Sequence, residues 1–181
     1  GALFIRRTPK VTIAPQVVGG GQEQGLRAGT LNVPGIVGFG AAAALARDVL
    51  AAEGPRLARL RDRLLEGLTR ALEAVTVNGS MAARLPHNLH VSIAGVDGEA
   101  LMASLADAVA VSSGSACASG SREPSHVMQA LGVNAVARWG AVRFGLGRGT
   151  TADEIDAAVA AVADSVTRLR AMSPVSVGGR A

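Results

Sequence analysis

The longest regular pattern in the chain is a stripe of leucines. Leu57, Leu60, Leu64, Leu68 and Leu72 recur at spacings of three and four, with Arg59, Arg61, Asp62, Arg63 and Glu66 between them. That spacing predicts an amphipathic helix over about 56–74 with its charges on a solvated face. A second stripe, Ile155, Val159, Val162, Val166 and Leu169, predicts a closing helix that ends near Met172. Thr151 with Glu154 three positions on forms a capping-box pattern at its start. Upstream, Asn32 as cap and Pro34 in the first turn predict a helix to about Ala52, interrupted by Gly54-Pro55.

Between these helices the period drops to two. Leu89-His90-Val91-Ser92-Ile93 alternates and reads as a strand. Strands are also expected over 2–5, 75–77, 108–111 and 141–146, with a turn at Asn78-Gly79-Ser80. Shorter helices are expected over 99–105, 125–131 and 134–139. Residues 75–172 then read β-β-α-β-α-β-α, an α/β unit with helices over a mostly antiparallel sheet. Residues 33–74 read as two connecting helices, and 173–181 as a frayed tail.

Composition narrows the options. With 181 residues and 49% apolar residues the chain can bury a real core. Three Phe, one Trp and no Tyr mean that the core is built from Ala, Val and Leu. Aromatic platforms for base stacking are scarce, so no direct nucleic-acid contact is expected. The formal charge of +4 comes from seventeen arginines and one lysine against fourteen acids, without a block of like charges. It reads as a preference for Arg over Lys rather than a basic binding tail. The most apolar stretch, 33–46, is short, Ala-rich and broken by glycines, so no membrane span is expected. One cysteine argues against a disulfide framework and fits a reducing, cytoplasmic setting.

That cysteine lies in Val111-Ser112-Ser113-Gly114-Ser115-Ala116-Cys117-Ala118-Ser119-Gly120-Ser121. A lone cysteine is most often a small buried hydrophobe. Small polar neighbours favour the other reading, a thiolate presented on a bendable loop as a nucleophile. A second stretch, Gly19-Gly20-Gly21-Gln22-Glu23-Gln24-Gly25-Leu26-Arg27-Ala28-Gly29-Thr30, holds five glycines in twelve residues. It suits an anion such as a phosphate ester or is a plain connector, and its spacing matches neither the P-loop nor the dinucleotide fingerprint. Arg143 alternates with Val142 and Phe144, so it leaves the sheet on the face opposite to theirs. There it either clamps a carboxylate or pairs with Asp153 or Glu154. His87 and His90 are expected on opposite faces of a strand, and His126 at a helix start on the surface. Their ligand count does not make a metal site.

Taken together, the Gly19–Thr30 stretch, Ser112-Ser113-Gly114-Ser115-Ala116-Cys117, Glu123-Pro124-Ser125 and Val142-Arg143-Phe144-Gly145-Leu146-Gly147-Arg148 resemble cysteine desulfurases of the NifS/IscS type. The motifs occur in family order across essentially the whole chain. The resemblance implies a fold type I enzyme that uses pyridoxal 5'-phosphate. It removes sulfur from L-cysteine, leaving L-alanine and a persulfide on an enzyme thiol. By the same resemblance Cys117 is the nucleophile and persulfide carrier, and Arg143 holds the substrate carboxylate. Thr30 reaches the cofactor phosphate of the partner subunit in a homodimer. The sulfur acceptor would be a protein such as an iron–sulfur scaffold or a tRNA-thiolation enzyme. Residues 1–32 are then the end of the large domain, and 75–172 the small C-terminal domain.

Two positions depart from the pattern: Ala28 stands where Ser is usual, and His90 where Asn is common. The larger departure concerns lysine. The family's Schiff-base lysine lies in a Ser-x-His-Lys motif, whereas the only lysine here is Lys10 in Thr8-Pro9-Lys10. A segment cut from a longer protein, inactive alone, is therefore expected. The rival readings are a persulfide-carrier or docking module without catalysis, and a related lyase acting on selenocysteine.

Overall fold

The computed structural model describes residues 1–113, 125–134 and 138–172. The chain divides into two compact units, Gly1–Ala51 and Ala52–Ala181. Helix α1 (Val33–Ala71) begins in the first and ends in the second.

In the first unit the strand expected over 2–5 does not form; a strand needs a ladder partner, and these residues have none among those described. Leu3 and Phe4 are exposed there. The start of α1 is as expected, with Gly35 N–H donating to Asn32 Oδ1 at 3.0 Å. Ile36, Val37, Phe39, Leu45 and Leu50 along this part of the helix are exposed. By length and composition alone α1 would pass for a membrane span, which the glycine-broken run of residues did not lead one to expect.

The break expected at Gly54-Pro55 is absent: the two connecting helices are one helix with Pro55 inside it. Proline there removes one backbone donor and crowds the preceding turn. Burial of the leucine stripe just beyond it supplies the opposing gain, since Leu57, Leu64 and Leu68 are all buried.

The second unit is built on an antiparallel sheet, β1 (Val75–Val77), β2 (Asn88–Ile93) and β3 (Ala141–Gly145), in that spatial order. One face of it is apolar. Leu89, Val91 and Ile93 of β2 and Val142 and Phe144 of β3 share a core with Leu64 and Leu68 of α1. Helix α2 (Gly98–Leu105) adds Leu101 and Leu105. Helix α3 (His126–Ala130) is shorter than expected and buries Met128. Helix α4 (Ala152–Met172) adds Ile155, Val162 and Val166. Helices α1 and α4 approach so closely that a Cβ on Gly67 would lie 2.7 Å from Val159 Cγ2.

Local chemistry sets the element ends. Asp97 Oδ1 accepts from Ala100 N–H at 2.9 Å and starts α2. The capping box of α4 is complete: Thr151 N–H donates to Glu154 Oε2 at 2.9 Å, and Glu154 N–H to Thr151 Oγ1 at 3.2 Å. Arg56 pairs with both carboxylate oxygens of Glu53. It also donates to the carbonyls of Gly147, Arg148 and Thr150, which fixes the turn between β3 and α4. The strand expected over 108–111 is not one. Ala108 and Val109 N–H both donate to Leu105 O at 2.8 Å, so the chain leaves α2 in a turn. The helix expected over 134–139 falls partly outside the described residues, with 138–139 helical.

Candidate functional site

The apolar face of the sheet is closed by helices, so the chemistry must lie on the other face. Strand alternation decides which side chains go there. Leu89, Val91, Val142 and Phe144 point into the core, which leaves Asn88, His90 and Arg143 on the opposite side. His90 stands directly across from Arg143, and Asn88 from Gly145. Leu146 N–H donates to His87 O at 2.9 Å and Ile93 N–H to Gly140 O at 3.0 Å. The alternation of an antiparallel ladder then makes His90 and Arg143 a non-hydrogen-bonded pair, the kind that brings side chains closest.

The row continues on both sides. Asn78 N–H donates to His90 O at 2.9 Å. Beyond β3, Ser112 and Arg143 exchange both backbone bonds, at 3.1 and 2.8 Å, as an isolated bridge. Asn78, His90, Arg143 and Ser112 thus cross the sheet in one line. Arg143 Nε also donates to Ser112 Oγ at 3.1 Å. Of the two carboxylates considered for Arg143 in the sequence, Glu154 is used in the cap of α4. Cys117 lies outside the described residues; Ser112 and Ser113, at the start of its loop, are the part of that motif the structure holds.

Satisfaction of polar groups along this face is uneven. Asn78 and Ser92 are buried and bonded to each other, Nδ2 to Oγ at 2.9 Å. Two neighbours are different. Asn88 Oδ1 and His90 Nε2 are buried and have no hydrogen-bond partner among the described residues. Such orphans are costly, about 1–3 kcal/mol each, and call for an explanation. Burial holds the His90 imidazole below its ordinary titration range, and the positive charges of Arg143 and Arg84 push the same way. Burial also lowers Arg84, beside the Arg61 cation; it donates to the carbonyls of Ser80 and Asn78 at 2.7 and 2.8 Å. Across from Asn88, Gly145 has no side chain, and a Cβ added there would meet nothing within 4 Å. The face therefore carries a guanidinium, an uncharged imidazole and an amide, with a space beside them that no described residue fills.

In the sequence His90 reads as a strand histidine on the face opposite His87, with too few ligands for a metal, and as a departure from a family pattern, with no role at Arg143. The signal that could have found it is the two-residue alternation that put Arg143 on this face, applied to Asn88 and His90 on the neighbouring strand. His87 lies next to β2 and is half-buried, and His126 is exposed at the start of α3. Among the described residues no three of His, Cys, Asp and Glu come together as a metal site.

The glycine-rich stretch is in the first unit and is considered by itself. Val17 and Arg27 form a bridge, and Ala28 N–H donates to Val17 O at 3.1 Å. Between them, Glu23 (φ 50°), Gln24 (φ 57°) and Gly25 (φ 79°) are successive left-handed residues. Outside glycine each such residue costs about 1–2 kcal/mol. The loop offsets that with side-chain bonds. Gln22 Oε1 accepts from Gly29 N–H at 3.1 Å, and Arg27 Nη1 donates to the carbonyls of Gly29 and Thr30 at 2.8 and 3.1 Å. Thr30 is exposed at the end of this shaped loop.

A sequence model of the family described as aminotransferase class-V matches residues 1–158. The cysteine desulfurase IscS of Anaeromyxobacter sp. (strain Fw109-5) is 55% identical over 175 residues, 97% of this chain and 43% of that relative. Among solved structures, a NifS-like protein aligns with a TM-score of 0.75 at 31% identity, covering 87% of this chain and 40% of its own. The NifS-like protein from Rickettsia africae aligns at 0.73 and 28%, covering 87% and 41%. The chain therefore spans 43% of the length of the curated relative it matches.

Proposed function

The chain belongs to the aminotransferase class-V family, and from that membership we propose that it supplies the sulfur-accepting part of a cysteine desulfurase. The observation that carries this reading is the 55% identity to a cysteine desulfurase over nearly the whole chain. In it Arg143 binds the carboxylate of L-cysteine, and its bond to Ser112 Oγ fixes the guanidinium beside the start of the cysteine loop. The Cys117 thiolate attacks the substrate sulfur, the carbon–sulfur bond breaks with its electron pair left on the carbon side, that carbon takes up a proton, and the products are L-alanine and a persulfide on Cys117. An acceptor protein then takes that sulfur, with an iron–sulfur scaffold or a tRNA-thiolation enzyme as the candidate classes.

The described residues suit one end of pyridoxal phosphate. The exposed Thr30 hydroxyl, at the end of a loop held open by Arg27 and Gln22, fits the oxygens of a phosphate ester. Thr30 would hold the phosphate of the cofactor in the partner subunit of a homodimer. When bound, that cofactor supplies an electron sink for the bonds broken in the substrate. Lys10, the one lysine, stands outside any Ser-x-His-Lys motif. We therefore place the covalent anchor elsewhere in the protein and expect no turnover from these 181 residues alone. The same fact favours a second reading, a persulfide-carrier or docking module without catalysis of its own. A selenocysteine lyase is a weaker rival, because the Ser112–Cys117 motif is that of the desulfurases. We place the reaction in the cytoplasm; the class-V match, which runs across α1, supports reading that helix as part of the enzyme fold.

The test uses the full-length protein that carries this chain, with pyridoxal phosphate and L-cysteine. Alanine and persulfide should form in equal amounts, and Cys117→Ala should abolish sulfide release. Alanine made by the 181-residue chain alone would overturn the assignment of the anchor. Equal sulfide release from Cys117→Ala would overturn the role of the thiol.

A further inference from the structure

The orphaned Nε2 of His90 is the feature that the desulfurase reading leaves without a use. Four observations meet at it. His90 and Arg143 are a directly opposed, non-hydrogen-bonded pair, so their side chains lie together on one face. The imidazole Nε2 is buried and has no partner among the described residues. Asn88 Oδ1, two residues away on the same face, is in the same state. Across from Asn88, a Cβ on Gly145 would meet nothing within 4 Å among the described residues. A buried polar atom without a partner commonly awaits one, and here it stands beside a cation that suits a carboxylate.

We propose that His90 is a substrate-positioning residue whose Nε2–H donates a hydrogen bond to the carboxylate held at Arg143. The guanidinium supplies charge and a planar fork, and the imidazole supplies a second direction of approach. Together they fix the carboxylate plane, where Arg143 alone would leave it free to tilt. An uncharged ring suits this task, because a third positive charge beside Arg143 and Arg84 would be repelled in the empty site. Burial and those two cations keep the ring uncharged. This inference rests on the assignment of Arg143 made above, and its test separates the two.

The protein used is the full-length holoenzyme, and the probes are L-alanine and L-alaninamide, which differ at the carboxylate. Loss of a hydrogen bond to a charged group should weaken L-alanine binding roughly tenfold in His90→Ala. Binding of L-alaninamide should be the same in wild type and variant. His90→Asn, whose amide can also donate, should recover most of the loss. In wild type, the NMR signal of the His90 ring, assigned by its disappearance in His90→Asn, should move on adding L-alanine and stay still on adding L-alaninamide. Unchanged L-alanine affinity in His90→Ala, or a ring signal that moves equally with both probes, would overturn the proposal. If His90-dependent L-alanine binding is found in a protein that takes no sulfur from L-cysteine, the carboxylate site stands and the desulfurase reading falls.

Discussion

The two faces of the β1-β2-β3 sheet are made by the same strands and have opposite character. On one, Leu89, Val91, Val142 and Phe144 are closed under helices and almost wholly buried. On the other, one residue along, stand Asn88, His90 and Arg143, with two buried polar atoms that have no partner among the described residues. Alternate side chains of a strand point to opposite faces, so one strand can carry stability and reactivity side by side. The difference teaches where free energy is gained and where it is held back. The first face gains from burial, while the second keeps groups without a partner among the described residues, which the proposed carboxylate site would satisfy in part.

Substitutions can break or sharpen this contrast. The largest effect on stability should come from the apolar face: Phe144→Ala should cost about 3–5 kcal/mol, read as a fall in the denaturant midpoint. A cost under 1 kcal/mol would mean that this face is not the closed core described. Next is Gly140, at the edge of the ladder, where an added Cβ would lie 2.1 Å from Ile93 O. Gly140→Ala should lose about 1–3 kcal/mol by overpacking, seen in the same unfolding curves.

Arg143→Ala, on the polar face, should cost less stability than Phe144→Ala, at about 1 kcal/mol for each hydrogen bond lost, that to Ser112 among them. In the full-length enzyme it should raise KM for L-cysteine by more than tenfold. Instability as large as that of Phe144→Ala would erase the distinction between the faces. The smallest effect is that of pH through His90. Its folded pKa lies below the ordinary 6.5, so the unfolded chain takes up the proton first as pH falls. The stabilisation is complete above pH 6.5 and is lost as pH falls from there to the folded pKa. Urea midpoints from pH 7.5 to 5 should therefore decline more steeply in wild type than in His90→Asn; parallel curves would contradict the lowered pKa.

Much of this contrast was legible in the residues. The alternation of Leu89 to Ile93 and of Val142 to Phe144 marked both faces, and it sent Arg143 to the polar one. The stripes of α1 and α4 and the Thr151–Glu154 box were equally plain, because they depend on local spacing. What was not legible depended on partners distant in sequence. Residues 2–5 are apolar enough for a strand but have no ladder partner among the described residues. Residues 108–111 read as a strand, yet the N–H groups of Ala108 and Val109 turn back onto Leu105. Pro55 was read as a stop, but one lost hydrogen bond does not outweigh the leucines packed beyond it. His90 was passed over because an orphaned nitrogen shows only when every neighbour is in place. The glycine-rich stretch was legible as irregular, whereas the left-handed run of Glu23 and Gln24 was not, since neither residue prefers it.

Gly145 carries a different consequence. Because a Cβ there would meet nothing within 4 Å among the described residues, and its backbone is ordinary strand, alanine can be introduced without strain. Its methyl group would take up part of the space on the face that carries Arg143. Gly140, five positions earlier in the chain, permits no such change. On the proposed reading, in which Arg143 holds a carboxylate, position 145 sets the room beside that carboxylate, and one codon change alters it.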